Sequence, residues 1–508
     1  MHADAARQRL GSKVRACAGH LALSWRPVAG MAGVMRVAHD RASVNRLTGP
    51  ELSCFVPQAR GWPADIGVIA ILDGAGLFDG DGRLRITDVR DAIAGRVHQA
   101  PRLRQVVYRP GPGLGRPLWV DARRFDITDH VHVRGLPAAA DHADLLRACE
   151  EVRQQQLDRS RPLWQLWLLP GLPGGRVGMF FRAHHAIADG PAAVTLLGTL
   201  LDYAPAAPSP AAPPWRPRPA PTARDLLSGN LRWYASALAG TGSYLGHPAA
   251  AAARLHRAWP AIREPLAERR TRRTSLNRPI GRARRIAVVR NRLDPVKDAA
   301  HEAGGKVNDA VLAAVAGGLR ELLQSRGENV AGLVLRAMVP VSLHDPSLGP
   351  AQGNQYGVMV VPLPVGEPGT TQRLRLIAAQ TAWRKKQARR PWGTGLSGSP
   401  LVQRLAIQVA DRQHFIHVHV ANVPGPASPL YLAGARLTEA FAVVPLSGNV
   451  TVGIGVVSYA GQLNISVIAD RDNCPDLPVF ISGLDRSLAD LTGAAMSITP
   501  PADSSPAA

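Results

Sequence analysis

Two adjacent histidines followed by an aspartate and a glycine, His184-His185-Ala186-Ile187-Ala188-Asp189-Gly190, are the residues of this chain best suited to chemistry. An imidazole with an unperturbed pKa of about 6.5 is mostly neutral at physiological pH and can accept a proton from an attacking hydroxyl. Successive strand side chains face opposite sides of a sheet, so only one of the two rings lines a given cavity. One histidine is then chemical and the other structural. Asp189 falls in the loop after the strand, where a buried carboxylate can pair with an arginine and hold the loop's shape, and Gly190 permits a close backbone approach. The same residues also fit a satisfied core histidine and an N-cap aspartate ahead of Gly190-Pro191. Metal binding is disfavoured, because neighbouring histidines that face apart need a second ligand cluster that the sequence lacks.

The elements around the motif read as strand, short loop, helix. From Arg176 to His185, Val177, Met179, Phe181 and Ala183 alternate with Gly178, Phe180 and Arg182, which is strand periodicity. Pro191 to Tyr203 follows as a helix with an apolar stripe of Val194, Leu197 and Leu201. Upstream, Ile66 to Leu72 reads as a strand, Thr87 caps a helix running to His98, and Ala140 to Gln156 reads as a second helix. Ala204 to Thr222 is dominated by proline and alanine and reads as a linker. A basic stretch, Arg254 to Arg292, leads to a helix over Asn308 to Gln324, whose Leu312, Val315, Leu319 and Leu322 share a face with Asn308. Strands follow at Val334 to Val339, Tyr356 to Val361 and His417 to Val420, then a hairpin of Val450 to Ser458 and Leu463 to Ala469 around Ala460-Gly461. Two α/β halves with no visible internal repeat result, divided as a basic disordered extension (1–44), an N-terminal lobe (45–203), a linker (204–230), a C-terminal lobe (231–491) and a disordered tail (492–508).

With 508 residues, 46% apolar, 19% charged and 5% aromatic, the composition is that of a globular α/β protein and excludes a disordered chain. Cys17, Cys54, Cys149 and Cys474 are too scattered for a zinc knuckle or a disulfide framework, which points to reduced thiols in the cytoplasm. No apolar run approaches the roughly 20 residues that cross a bilayer. Ala16 to Met35 is interrupted by Arg26-Pro27 and is not a signal sequence, and Met31 and Met35 are alternative starts. A formal charge of +22 implies an acidic partner, or an arginine-rich genomic habit. Nucleic acid is the weakest such partner, for no helix-turn-helix, zinc finger or aromatic RNA-binding motif is present.

HHxxxDG is the signature of the coenzyme A-dependent acyltransferase superfamily, which includes chloramphenicol acetyltransferase, carnitine acyltransferases and peptide-synthetase condensation domains. Its neighbours narrow the resemblance. Asp158-Arg159-Ser160-Arg161-Pro162-Leu163-Trp164 resembles the "PLW" block of the bacterial wax ester synthase/diacylglycerol acyltransferase family, and Asn308-Asp309-Ala310-Val311-Leu312-Ala313 resembles its "ND" helix. Arg336 through Ser342, Gly353-Asn354, Asn422-Val423-Pro424-Gly425-Pro426 and Ser458-Tyr459 through Asp470-Arg471-Asp472 complete the family's order, so the likeness runs from about Leu47 to Leu491. Three positions depart from it: Glu51 where aspartate is common, Ala64-Asp65 in place of a Met-His pair before the first strand, and Ala421 in place of serine.

The resemblance implies an α/β (α+β two-layer) fold of two chloramphenicol-acetyltransferase-like lobes, with the motif on a channel at their interface. It further implies an O-acyltransferase moving a fatty acyl group from acyl-CoA to diacylglycerol or a long-chain alcohol, with no cofactor beyond that co-substrate and no metal. His185 is then the general base and His184 structural. Asn308 positions the reactants or stabilises the oxyanion, with a helix N-cap as its alternative role, Arg336 pairs with Asp189, and Trp164 packs near the channel. Asn422 to Pro426 reads as a rigid turn at the channel mouth. An apolar acceptor implies peripheral contact with the inner membrane face or lipid droplets, for which Trp383-Arg384-Lys385-Lys386 and Arg389-Arg390-Pro391-Trp392 are candidates. Two other readings are weaker. A condensation-type enzyme using a carrier-protein thioester lacks its companion domains, and a non-catalytic basic module has no need of an intact HHAIADG.

Overall fold

The computed structural model of the chain describes residues 45–188, 190–205, 214–231, 272–342, 356–387, 408 and 411–493. The expected extension (1–44), Asp189, residues 206–213 of the linker, the start of the basic stretch, Gly353-Asn354, Arg389 to Trp392 and the tail after Ala495 lie outside the described residues.

β1 (Asp65–Leu72) and β6 (Val177–His184) sit at the centre of a six-stranded sheet, where apolar residues on both faces are buried. On one face Val68, Ala70 and Leu72 meet Val89 and Ile93 of α3 (Ile86–Ala94) and Leu197 of α5 (Gly190–Leu200). On the other, Ile69, Ile71 and Phe180 meet Leu145 and Cys149 of α4 (His142–Gln154). Period-two alternation thus feeds two cores from one strand. β5 (Trp164–Pro170) and β4 (Val131–Val133) extend the sheet beyond β6. Short helices α1 (Gly49–Ser53) and α2 (Phe55–Ala59) precede β1, and β2 (Gln105–Tyr108) pairs with β3 (Leu118–Asp121) in a separate ribbon.

The second sheet has the order β7-β14-β13-β10-β8-β9, formed by β7 (Arg284–Arg292), β8 (Leu335–Ser342), β9 (Tyr356–Leu363), β10 (Val418–Pro424), β13 (Val452–Tyr459) and β14 (Gln462–Asp470). β10 runs parallel to β13 and β8, and the other pairs are antiparallel. α6 (Leu293–Glu302), α7 (Val307–Ser325), α8 (Thr370–Gln387) and α9 (Leu477–Thr492) belong to this half. Leu312, Val315, Leu319 and Leu322 of α7 are fully buried, each contributing about 1.5–3 kcal/mol by removal from water. α7 approaches α9 closely because Gly317 has no side chain: a Cβ there would stand 2.0 Å from Ser487 Oγ.

One late segment joins the two halves. β12 (Ala435–Val443), flanked by β11 (Tyr431–Leu432), pairs with β1 in the first sheet, Val68 opposite Ala442. From there the Ala442 carbonyl accepts the Ser466 hydroxyl of β14. Phe441, Ile286 and Ile468 complete the core that also holds Ile69 and Leu145.

Most expected elements fall within a few residues of the observed ones. The helix expected to be capped by Thr87 begins one residue earlier, with Arg85 at the cap position and Thr87 inside it, and ends at Ala94 just before Gly95; a separate 3-10 turn covers Val97–Gln99. Asn422-Val423-Pro424 is strand and not turn, because Asn422 pairs with Val456 and Pro424 with Ser458; the chain leaves the sheet at Gly425. The hairpin turn holds Ala460 at φ 47° and Gly461 at φ 81°, as a two-residue connection between twisted strands requires.

Candidate active site

β6 ends at His184, so His185 opens the following turn and strand alternation stops one residue before the expected limit. His184 stands opposite Asp65 of β1 and is 1% exposed. Its N–H donates to the Leu163 carbonyl at 2.9 Å, its Nδ1 accepts the Ala186 N–H at 3.1 Å, and its ring stacks on Phe55 with centroids 4.3 Å apart. Burial pushes its pKa down to about 3, and the neighbouring His185 and Arg159 add to the effect. The ring is therefore neutral, and because Nδ1 is an acceptor its single proton is on Nε2. His185 is only half-buried. Its N–H donates to the Ala64 carbonyl at 3.2 Å, and Cys54 Sγ lies 3.7 Å from its Nδ1.

Gly190, the first residue of α5, lies against β10: a Cβ there would meet Val423 Cγ2 at 3.3 Å. The next residue of that strand back, Asn422, directs Nδ2 toward Asn308 Oδ1 at 3.5 Å. Both amides line a cavity of about 450 Å³, together with Ser458, Lys297 and the apolar Leu293, Val339 and Met359. The helix of the histidine motif and the strand facing Asn308 are thus in contact, although His185 is not among the residues lining that cavity. Asn308 is not the N-cap of α7. Lys306 holds that place, and the Asp309 carboxylate accepts the Lys306 N–H at 2.8 Å and the Thr381 hydroxyl at 2.7 Å. In the Asn-Asp pair the aspartate fixes the helix start and leaves the asparagine facing the cavity.

Arg336 is half-buried in β8, and its main-chain groups bond His417: its N–H donates to the ring Nδ1 of His417 at 3.1 Å, and its carbonyl accepts the His417 N–H at 3.0 Å. Trp164 is fully buried at the head of β5, with Nε1 donating to the Leu103 carbonyl at 2.9 Å and the ring stacked on His130 at 4.6 Å. Sequence reasoning missed a buried charge network under the motif. The Asp65 carboxylate lies 3.6 Å from Arg153 and 3.7 Å from Arg182, Glu150 lies 3.4 Å from Arg153, and Glu150 Oε1 accepts the Arg284 N–H at 3.1 Å. Arg182 interrupts an otherwise apolar strand, and that was the available signal. Among the described residues no group of three or more His, Cys, Asp or Glu is placed to hold a metal ion, and no helix is long and apolar enough to cross a membrane.

The description "Wax ester synthase/diacylglycerol acyltransferase catalytic domain" matches residues 57–311, and "WS/DGAT C-terminal domain" matches residues 352–492. This chain belongs to the wax ester synthase/diacylglycerol acyltransferase family. A Mycobacterium tuberculosis (strain CDC 1551 / Oshkosh) relative assigned as a diacylglycerol O-acyltransferase is 30% identical over 480 residues, covering 89% of this chain and 90% of its own. Among solved structures, the wax ester synthase/diacylglycerol acyltransferase of Marinobacter aquaeolei VT8 superposes with a TM-score of 0.62 at 24% identity, covering 88% of this chain and 98% of that one. The first condensation domain of the calcium-dependent antibiotic synthetase has the same fold, with a TM-score of 0.59 at 16% identity over 90% of this chain and 97% of its own. The two-lobed, condensation-like fold of this acyltransferase family is therefore that of the present chain.

Proposed function

We propose that this family member transfers a long-chain fatty acyl group from acyl-CoA to diacylglycerol, giving triacylglycerol, with fatty alcohols as alternative acceptors giving wax esters. His185 is the general base. Its ring nitrogen takes the proton of the acceptor hydroxyl, whose oxygen bonds to the thioester carbonyl carbon. The tetrahedral intermediate collapses with cleavage of the C–S bond, and the coenzyme A sulfur leaves as a thiol with the proton returned by the imidazolium. Asn308 positions the reactants or donates to the oxyanion. Asp189 and Arg336 hold the loop after the strand, Gly190 lets α5 approach β10, and Trp164 keeps the strand head packed.

The observation supporting this reading is the contrast between the two imidazoles. His184 is sealed, neutral and committed to a turn, whereas His185 is half-buried beside it. Exposed Trp383, with Arg384 beside its ring, and the charge of +22 support peripheral docking on an anionic lipid surface. The test is incubation of purified protein with palmitoyl-CoA and either dioleoylglycerol or hexadecanol. Free thiol and ester should appear in equal amounts, and His185→Ala should lose both; ester formation surviving that substitution rejects the assigned base.

A further inference from the structure

We infer that Asp65 is a positioning residue for the double-histidine motif: across a water-sized cavity, its carboxylate holds His184 in the Nε2–H tautomer on which the turn bearing His185 is built. The proposal rests on His185 as the base and adds what keeps it in place.

Asp65 and His184 are direct cross-strand partners on β1 and β6, so their side chains leave the same face of the sheet side by side. Both are buried, at 4% and 1% exposure. They line a common cavity of about 20 Å³, which holds one water and little else. Two atoms at this place, His184 Nε2 and Asp65 Oδ2, are buried without a hydrogen bond to any described protein group. The nearest charges on Asp65, Arg182 at 3.7 Å and Arg153 at 3.6 Å, compensate the carboxylate but stand beyond hydrogen-bond length, so it keeps an acceptor to spare.

His184 supplies the matching donor. Its Nδ1 accepts the Ala186 N–H, which obliges the neutral ring to carry its proton on Nε2. The other tautomer sets Nδ1–H against the Ala186 N–H, donor against donor, and opens the turn that starts at His185. An acceptor across the cavity from Nε2 prevents this through one water, since a bridging water transmits hydrogen bonding at little cost. The preceding residue completes the grip, because the Ala64 carbonyl takes the His185 N–H. The start of β1 thus holds one histidine by its main chain and the other by a side chain. Ala64-Asp65 is also one of the three departures noted in the sequence.

The experiment is long-range nitrogen–proton NMR of the full chain labelled with ¹⁵N-histidine, with the His184 signals identified by their loss in His184→Gln. The wild type should show Nε2–H at pH 7. Asp65→Ala should lose this single-tautomer signature and lower kcat by about tenfold or more with KM for acyl-CoA unchanged, as a displaced base requires. Asp65→Asn keeps an acceptor oxygen and should restore both tautomer and kcat. An Nδ1–H wild type, an Asp65→Ala protein retaining Nε2–H, an unchanged kcat in that variant, or failure of Asp65→Asn to restore the tautomer each overturns the proposal. Should Asp65→Ala not fold, the wild type and Asp65→Asn decide it alone. The tautomer is read without turnover, so an error in assigning His185 as base, seen as activity in His185→Ala, remains a separate result.

Discussion

Cys54 Sγ stands 3.7 Å from Nδ1 of His185, which places a thiol against the imidazole proposed as base. A cysteine beside a histidine invites a covalent mechanism, but this thiol is pushed up to about 12 by burial, with the charge of Glu51 adding to the effect. Thiolate is the nucleophilic form, so Cys54 stays protonated and packs on the ring. Cys54→Ala is expected to keep ester synthesis far above the His185→Ala level. Mass spectrometry after incubation with acyl-CoA and no acceptor should find no acylated Cys54, and an acyl adduct there would replace direct transfer with a two-step route.

The two histidines should fail differently when removed. His185→Ala is expected to lower kcat by about 10²–10⁴-fold, the usual range for a general base, with little change in melting temperature. His184→Ala removes the acceptor of the Ala186 N–H and the ring stacked on Phe55, leaving a buried donor unpaired at a cost of about 1–3 kcal/mol. Thermal unfolding and steady-state kinetics on both variants separate the roles, and equal stability losses would refute the division.

The elements carrying these histidines were legible because their patterns are local. Alternation from Val177 to Ala183 and the stripe of Leu312, Val315 and Leu319 each specify a face without reference to the rest of the chain. Insertion of β12 beside β1 was not legible, since Ala435–Val443 is paired across more than half the chain and no local signal says with which strand. Asn422-Val423-Pro424 read as a turn because proline and glycine dominate local propensity, yet the neighbouring β13 supplies the pairing that makes it strand. At the candidate site, HHxxxDG drew attention to the histidines and the Asn-Asp pair to Asn308, which the structure places on a cavity. Asp65, Arg153 and Glu150 stayed hidden, because their meaning lies in a meeting of β1, β6 and α4 that spacing does not encode.

Asn308 and Asp309 are adjacent but should be separable. Asn308 faces the cavity and caps nothing, so Asn308→Ala is expected to reduce kcat by about 10²–10³-fold if its amide meets the oxyanion, with a near-native melting temperature. Asp309→Ala loses the acceptor of both the Lys306 N–H and the Thr381 hydroxyl and should destabilise by about 0.5–2 kcal/mol. Parallel kinetics and melting curves check this, and an Asn308→Ala protein with unchanged kcat removes Asn308 from the mechanism.

Glu150 ties the two halves together, taking the Arg284 N–H of β7 while paired with Arg153 of its own helix. Burial raises its pKa, so the carboxylate depends on these partners to stay charged. Glu150→Ala strands Arg153 and the Arg284 N–H in the interior and is expected to cost about 3–5 kcal/mol, the usual penalty for breaking a buried pair from one side. Urea unfolding should show the loss, while a shift below the error of the measurement would mean that the interface does not depend on this carboxylate.

Acid should weaken the fold before it titrates the carboxylates. His130, His184 and His417 are pushed down by burial to about 4, 3 and 4, so each is neutral in the folded chain and protonated in the unfolded one below about 6.5. The unfolded state then binds more protons between these limits, and stability, complete above pH 6.5, is lost as pH falls toward the folded values. His130, stacked between Phe125 and Trp164, offers the cleanest test, since His130→Phe keeps an aromatic ring and removes the titration. Its depressed pKa is worth roughly 3 kcal/mol across that window. Unfolding free energies at pH 7 and pH 4 should therefore converge by about that amount in the variant. An unaltered acid dependence would mean that the ring is already charged in the native protein.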